Sequence, residues 1–355
     1  MKNLNLEIIQ EVDKQNMYQL LKDYWLHIEK AINNAKRSTA IFSVEQIKSI
    51  IILGIGGSAI SGEILKNYLY RFSSTANINI KIIRGNDIPD IVDSNTCVFV
   101  SSYSGNTDET LTALDIVKNK TKNLIAITSG GKLEELFNKE NLPVLKLPEG
   151  MMPRCSLMYS FFHLLYVLLR HNILNYKDDI EPAINSLINR KNDSIFDYSK
   201  LTEDNIAINI AKKFFNNIPV IYSSDRFEAV NLRWRAQIQE NANSMAFGNI
   251  LPEANHNEIN GWSMPSDILK RFIVLFLKDY KDVEILKNAM KLSNTILENN
   301  KIASIELYCK GNEILTKIFD FICIGDWVSF YLAILNNVDP TPIPNIMNLK
   351  AMMKK

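Results

Sequence analysis

Residues 50–65 read IIILGIGGSAISGEIL. Four consecutive apolar side chains, Ile50 to Leu53, mark a strand buried on both faces, as in the interior of a parallel sheet. Gly54, Gly56 and Gly57 then allow a tight turn and close backbone approach, and Ser58 is placed to cap a helix continued by Ala59, Ile60, Ile64 and Leu65. A strand, a glycine-rich turn and a helix make a ligand-binding βα unit. Gly54, Gly56 and Ala59 also satisfy the GxGxxG/A pattern, so a nicotinamide-dependent enzyme is a rival reading of this loop taken by itself.

Working outward, apolar runs at 78–83, 96–100, 124–128 and 143–147 predict further strands, with helical patterns over 107–118 and 133–138 between them. Strand alternating with helix predicts an α/β, doubly wound parallel sheet. A second set of runs at 218–223, 271–277 and 302–307, followed by a long buried helix over 314–335, predicts a second such half. The expected organisation is N-terminal helices and a first sheet domain over 1–152, linker helices over 153–200, and a second domain over 201–355. An amphipathic helix or pair of helices is expected over 5–37, where Leu20, Leu21, Tyr24, Trp25, Ile28 and Ile32 fall at helical spacing.

Composition excludes several partners. In 355 residues, 40 Lys and Arg offset 39 Asp and Glu, so no global field draws the chain to nucleic acid or to an anionic membrane, and neither is expected as a partner. An anionic ligand must be met locally. Cys97, Cys155, Cys309 and Cys323 lie far apart with no CxxC, which argues for buried reduced thiols over a zinc site or disulfide framework. Neither a targeting segment nor a run of 18 apolar residues is apparent, and the expected compartment is the cytoplasm.

The strongest local anion signal is SSYSGNT, residues 101–107, which closes the third strand run and precedes a helix. Ser101, Ser102, Ser104 and Thr107 supply hydroxyls, Gly105 supplies flexibility, and a helix start supplies N–H groups. By itself the loop is either an anion cradle or an ordinary polar turn with a helix cap. Ligands of doubly wound sheets sit where the loops after neighbouring strands converge. A phosphorylated sugar would use both loops, whereas a dinucleotide leaves the second without a role. GIGGSAISG at 54–62 followed by SSYSGNTDET at 101–110 resembles the sugar isomerase (SIS) domain, a phosphosugar-binding family. That resemblance implies that Ser102, Ser104 and Thr107 hold the phosphate, with Gly57 and Ser58 contributing from the first loop.

Downstream, PEGMMPRCSLMYSFFHLLYVLL places Pro148 and Pro153 around a loop and opens an apolar helix. Arg154, between a proline-set turn and that helix, is held near the protein body, where it meets either an oxyanion or a carboxylate in a salt bridge. His163, inside the apolar helix, reads as a core histidine. The cluster Arg233-Trp234-Arg235 falls on a helix that packs on the sheet.

Residues 237–261, QIQENANSMAFGNILPEANHNEING, gather Glu240, Glu253, Glu258 and His256. Partial burial of Glu240 among asparagines would raise its basicity, and Asn255 or Asn257 is placed to orient the His256 ring, although for His256 taken alone a solvated loop histidine is the better reading. The ENA and NHNE elements resemble the C-terminal half of the bifunctional phosphoglucose/phosphomannose isomerases, whose two SIS-type halves enclose one sugar-phosphate site. The resemblance implies that Glu240 carries a proton between C1 and C2, that His256 opens the ring, that Arg154 stabilises the enediolate and that Lys350 assists ring opening. It further implies that Thr341, nine residues before Lys350, bears on acceptance of mannose 6-phosphate beside glucose 6-phosphate. A hexose 6-phosphate substrate, no metal or redox cofactor, and a homodimer whose partner donates the histidine complete the expectation. A non-catalytic sugar-phosphate-binding regulator is the alternative from a different class.

Overall fold

The apolar runs of the first half form one parallel sheet, with strands β1 (Ser49–Leu53), β2 (Asn79–Ile83), β3 (Thr96–Ser101), β4 (Leu124–Thr128) and β5 (Val144–Lys146) in the order β2-β1-β3-β4-β5. This computed structural model describes residues 4–44, 47–70, 72, 77–85, 87–88 and 92–353, the side chains of Asp178 and Asp179 apart. Every residue of β3 and β4 is buried, as is β1 beyond Ser49, which is why these runs carry no polar alternation. Each fully buried Ile or Leu here contributes roughly 1.5–3 kcal/mol of apolar transfer. From β1 the chain places β2 on one side and then returns to place β3 on the other. The register pairs Leu53 with Val100, so the loops after β1 and β3 leave the sheet side by side. Their divergence opens a crevice at the carboxyl end of the sheet.

The second half repeats the plan. Strands β6 (Ile218–Ser224), β7 (Phe247–Leu251), β8 (Phe272–Lys278) and β9 (Ala303–Tyr308) are parallel in the order β7-β6-β8-β9, giving the expected doubly wound α/β class twice over. Strand β7 is not apparent from sequence because Gly248 and Asn249 have poor strand preference. Its glycine is demanded by packing, since a Cβ there would collide with the Ile221 carbonyl of β6.

The chain divides into two compact units, one spanning Trp25–Asn189 and the other joining the described residues up to Tyr24 with those from Arg190 onward. Three helices occupy the N-terminal segment: Leu6–Val12, Met17–Lys22 and Tyr24–Arg37. The first two belong to the C-terminal unit, where the Tyr18 hydroxyl donates to the Ser199 carbonyl at 2.9 Å and its ring meets Trp327 edge-on. The core of that unit is the helix Ile314–Leu335, buried from Leu315 to Leu335. It is long and apolar enough to cross a membrane, yet the whole of its apolar window is buried inside this unit, as an all-round apolar helix in a core must be.

Three charges inside that helix are each answered: Lys317 by Asp279 at 2.6 Å, Asp320 by Arg190 at 2.9 Å and Asp326 by Arg233 at 2.8 Å. The Arg233 cluster is therefore structural. Trp234 donates from Nε1 to the Phe321 carbonyl at 2.8 Å, and a Cβ at Gly325 would lie 2.5 Å from the same indole. Gly325 is what lets the helix Glu228–Ala242 approach so closely.

In the N-terminal unit the helix Leu157–Arg170 is buried from Leu157 to Leu168 and carries His163, whose Nε2 lies 3.2 Å from the Lys146 carbonyl. Burial lowers the imidazole pKa to about 4, the carbonyl opposing only in part. A histidine with a depressed folded pKa stabilises fully above the unfolded value near 6.5 and loses that contribution as pH falls toward 4. His163→Gln, which keeps a donor, is expected to reduce the loss of unfolding free energy between pH 7 and pH 5 by about 2 kcal/mol. Denaturant titrations at the two pH values check this, and an unchanged difference would refute it. All four cysteines are buried and free.

Candidate active site

The cradle is assembled by glycines at close approach. A Cβ at Gly54 would lie 2.9 Å from the Ser101 carbonyl, so only glycine lets the loops after β1 and β3 touch. Gly105 sits at φ +67°, and a side chain there would run into the Gly130 carbonyl. Across the contact, Ser58 Oγ accepts the Tyr103 N–H at 3.2 Å. Ser102 and Thr107 hydroxyls meet at 2.9 Å across the neck of the loop, and Ser104 Oγ accepts the Asn106 N–H at 3.2 Å. Ser102 is buried, Thr107 half-buried and Ser104 exposed.

Among the described residues, internal hydrogen bonds engage the N–H groups of Ser102, Tyr103, Gly105 and Asn106. Those of Ser104 and Thr107 make no hydrogen bond among the described residues, and the Ser104 hydroxyl lies beside them. Thr107 caps the helix Asp108–Val117 without a side-chain bond of its own, because its hydroxyl is turned to Ser102. Asp108 and Glu109 fill the first turn of that helix, so its dipole is already answered. The helix Gly57–Leu69 has no acidic residue in its first turn and no side-chain cap. Any anion held here rests on loop N–H groups, hydroxyls and that open helix start.

Arg154 is brought to the same place. It lies in the turn Pro153–Cys155, is only 4% exposed, and its backbone nitrogen would stand 2.9 Å from a Cβ at Gly57. Gly57 thus serves as the contact surface between the helix Gly57–Leu69 and the arginine turn. Sequence reasoning passed over Tyr103. Its hydroxyl donates to the Pro148 carbonyl at 2.8 Å and accepts the Met151 N–H at 2.7 Å, pinning the loop that leads to Arg154. A single tyrosine among small hydroxyl residues was the available signal.

In the C-terminal unit, Glu240 lies near the end of the helix Glu228–Ala242, half-buried. It lines a cavity of about 380 Å³ with Gln239, Asn243, Met245 and the segment Ile343–Ile346. That segment opens the helix Pro344–Met353, which carries Lys350, exposed, in its last turn. Thr341, just upstream, is buried, and its N–H donates to Asp339 Oδ1 at 3.1 Å. His256 stands exposed on the turn Glu253–His256, after β7.

Both asparagines beside His256 are engaged elsewhere, and the exposed ring answers to the solvated-loop reading. Asn255 accepts from Ser293 Oγ at 2.8 Å, while Asn257 donates to Glu253 at 3.0 Å and accepts the Glu258 N–H at 2.5 Å. Glu258 is structural as well, receiving the Tyr222 hydroxyl at 2.6 Å and Asn249 Nδ2 at 2.7 Å. Burial, and then Glu258, push the Tyr222 phenol far above its ordinary pKa, which keeps it a donor. Glu240, by contrast, lines the 380 Å³ cavity.

Residues 43–168 match the SIS domain, and residues 203–353 match the bacterial phospho-glucose isomerase C-terminal SIS domain. A bifunctional phosphoglucose/phosphomannose isomerase of Caldicellulosiruptor bescii is 36% identical over 325 residues, covering 91% of this chain and 94% of the relative. The chain belongs to this isomerase family. Its counterpart in Aquifex aeolicus is 34% identical over 87% of this chain and 91% of the relative. The fold recurs in a hypothetical protein of Thermus thermophilus, with a TM-score of 0.75, 13% identity, and coverage of 98% of this chain and 92% of that one.

Within this family member the two sheets treat their crevices differently. At the equivalent switch point of the second sheet, between β6 and β8, stands Asp279. Its carboxylate takes both oxygens to Lys317 at 2.6 Å, pairs with Arg226 at 3.3 Å and accepts the Lys281 N–H at 2.9 Å. Burial pushes this carboxyl up, but Lys317, the backbone donor and Arg226 together outweigh it and hold the pKa below the ordinary value. The second sheet supplies its own anion where the first leaves donors open.

Proposed function

We propose that this chain interconverts glucose 6-phosphate, and mannose 6-phosphate, with fructose 6-phosphate through a cis-enediol. The observation that carries the reading is the open cradle of Ser104 and Thr107 N–H groups joined through Gly57 to a buried Arg154, in a chain of this family. The phosphate binds Ser102, Ser104 and Thr107, with Gly57 and Ser58 at its edge, which fixes one end of the sugar and so positions the reacting carbons. His256 and Lys350 exchange protons with the ring oxygen and O1 to open the ring. Glu240 then carries one proton between C1 and C2. Charge developing on O1 and O2 is met by the Arg154 guanidinium, which is worth more in a dry site than in water. Thr341 sets the tolerance for either C2 epimer. The active form is a homodimer in which His256 serves the partner's site.

A coupled assay on the purified full chain tests the activity, with turnover of both aldose phosphates expected. Thermal stabilisation by fructose 6-phosphate without turnover would make the protein a sensor instead. The cradle has its own signature. Ser104→Ala is expected to raise KM about tenfold with kcat little changed, because the phosphate is bound alike in ground and transition states. An unchanged KM would remove Ser104 from the phosphate site.

A further inference from the structure

The C-terminal unit holds a larger cavity, of about 780 Å³, at the carboxyl ends of β8 and β9. Three of its wall residues, Asp279, Lys317 and Arg190, are charged and buried. Lys317 is committed to Asp279 at 2.6 Å, and Arg190 to Asp320 at 2.9 Å while its guanidinium lies 3.9 Å from the Phe196 ring centre. Asp193 also lines the wall, with Oδ1 taken by the Ile195 N–H at 3.0 Å.

Two cations are left in a different state. Lys310 donates from Nζ to the Ile195 carbonyl at 3.3 Å, and Lys281 to the Asn312 carbonyl at 3.2 Å. A carbonyl orients an ammonium without neutralising it. Although the Lys310 residue is exposed overall, its Nζ is turned over the rings of Phe196 and Tyr198, at 5.8 and 5.9 Å. Burial lowers the Lys310 pKa, and Arg190 adds to this, while Asp320 and Asp193 act the other way. A bound anion would relieve that cost. Both lysines line the cavity, Lys281 from the connection after β8 and Lys310 from the one after β9. Two cations lining one cavity suit a dianion better than a single carboxylate.

We propose that this cavity is a second anion site, taking the phosphate group of a phosphorylated metabolite through Lys281 and Lys310, separate from the cradle at the first sheet. The carboxyl ends of parallel strands are where such folds bind ligands, and with the Asp279 position self-neutralised the open binding volume lies toward β9. The site is independent of which sugar phosphate the cradle takes.

Equilibrium dialysis of the full chain against radiolabelled inorganic phosphate at low salt tests it. Two classes of site are expected per chain. The double variant Lys281→Ala/Lys310→Ala should weaken one class about tenfold or more and leave kcat and KM for the sugar unchanged. Ser104→Ala/Thr107→Ala should weaken the other. Lys287→Ala/Lys291→Ala, on the helix Glu284–Asn299 and outside the cavity lining, should weaken neither. A single class sensitive only to the cradle variant would overturn the proposal, as would an equal loss in the Lys287/Lys291 control, which would mean diffuse surface charge.

Discussion

Glu240→Gln is expected to lower kcat for both aldose phosphates roughly a thousandfold while leaving KM within a few-fold, the pattern of a group needed for proton transfer and not for binding. Glutamine keeps the size and one hydrogen-bonding oxygen, so the half-buried side chain still fills its place at the edge of the 380 Å³ cavity. On the proposed mechanism, what it loses is the ability to take a proton from C2 and return it to C1. The coupled assay gives kcat, and incorporation of solvent deuterium at C2 of the substrate in heavy water gives a second readout that reports the proton transfer itself. A variant with full exchange would remove Glu240 from the transfer. Glu258 offers the contrast. Its carboxylate is occupied by Tyr222 and Asn249, so Glu258→Gln should act on stability more than on exchange. Mixing Glu240→Gln chains with His256→Ala chains extends the test to the proposed dimer. Recovery of activity in the mixture is expected if the histidine is donated by the partner, and none if each chain works alone.

Arg154→Lys should lower kcat about a hundredfold with a smaller change in KM. The turn Pro153–Cys155 is fixed on both sides, by the packing of Gly57 against its backbone and by the grip of Tyr103 on Pro148 and Met151. Lysine retains the charge but not the planar fork that meets two oxygens at once, so an enediolate is stabilised less well than a ground-state hydroxyl. Thermal unfolding of the variant separates this from loss of the fold. Activity within threefold of the parent would assign Arg154 to structure alone. Tyr103→Phe should show a weaker version of the same defect, because it frees the loop before the arginine without removing the cation.

Both parallel sheets were legible in the sequence wherever strands are buried on both faces. Ile50 to Leu53 and Leu124 to Ile127 are unbroken apolar runs because both strands are interior to the sheet and buried on both faces. Strand β7 was not legible. FGNIL lies at the edge of the second sheet, mostly half-exposed, and its glycine answers a contact with Ile221 that no local pattern contains. The membership of the first two helices in the C-terminal unit was equally hidden, since an amphipathic stripe states that a face is covered and not by what.

The site shows the same division. Hydroxyls at 101–107 and glycines at 54–57 announce an anion loop by residue type, because phosphate binding without arginine needs donors and close backbone approach. By itself, though, the first loop also fitted a dinucleotide. Only the fold brings Ser58 to Tyr103 and Gly57 to Arg154, and only the fold separates a cavity-lining Glu240 from a Glu258 consumed by Tyr222 and Asn249. The physical reason is range. Turn chemistry, strand burial and helix starts are settled by neighbours in the chain, whereas which carboxylate is occupied depends on partners up to 36 residues away, brought close by β6 and β7 pairing in register.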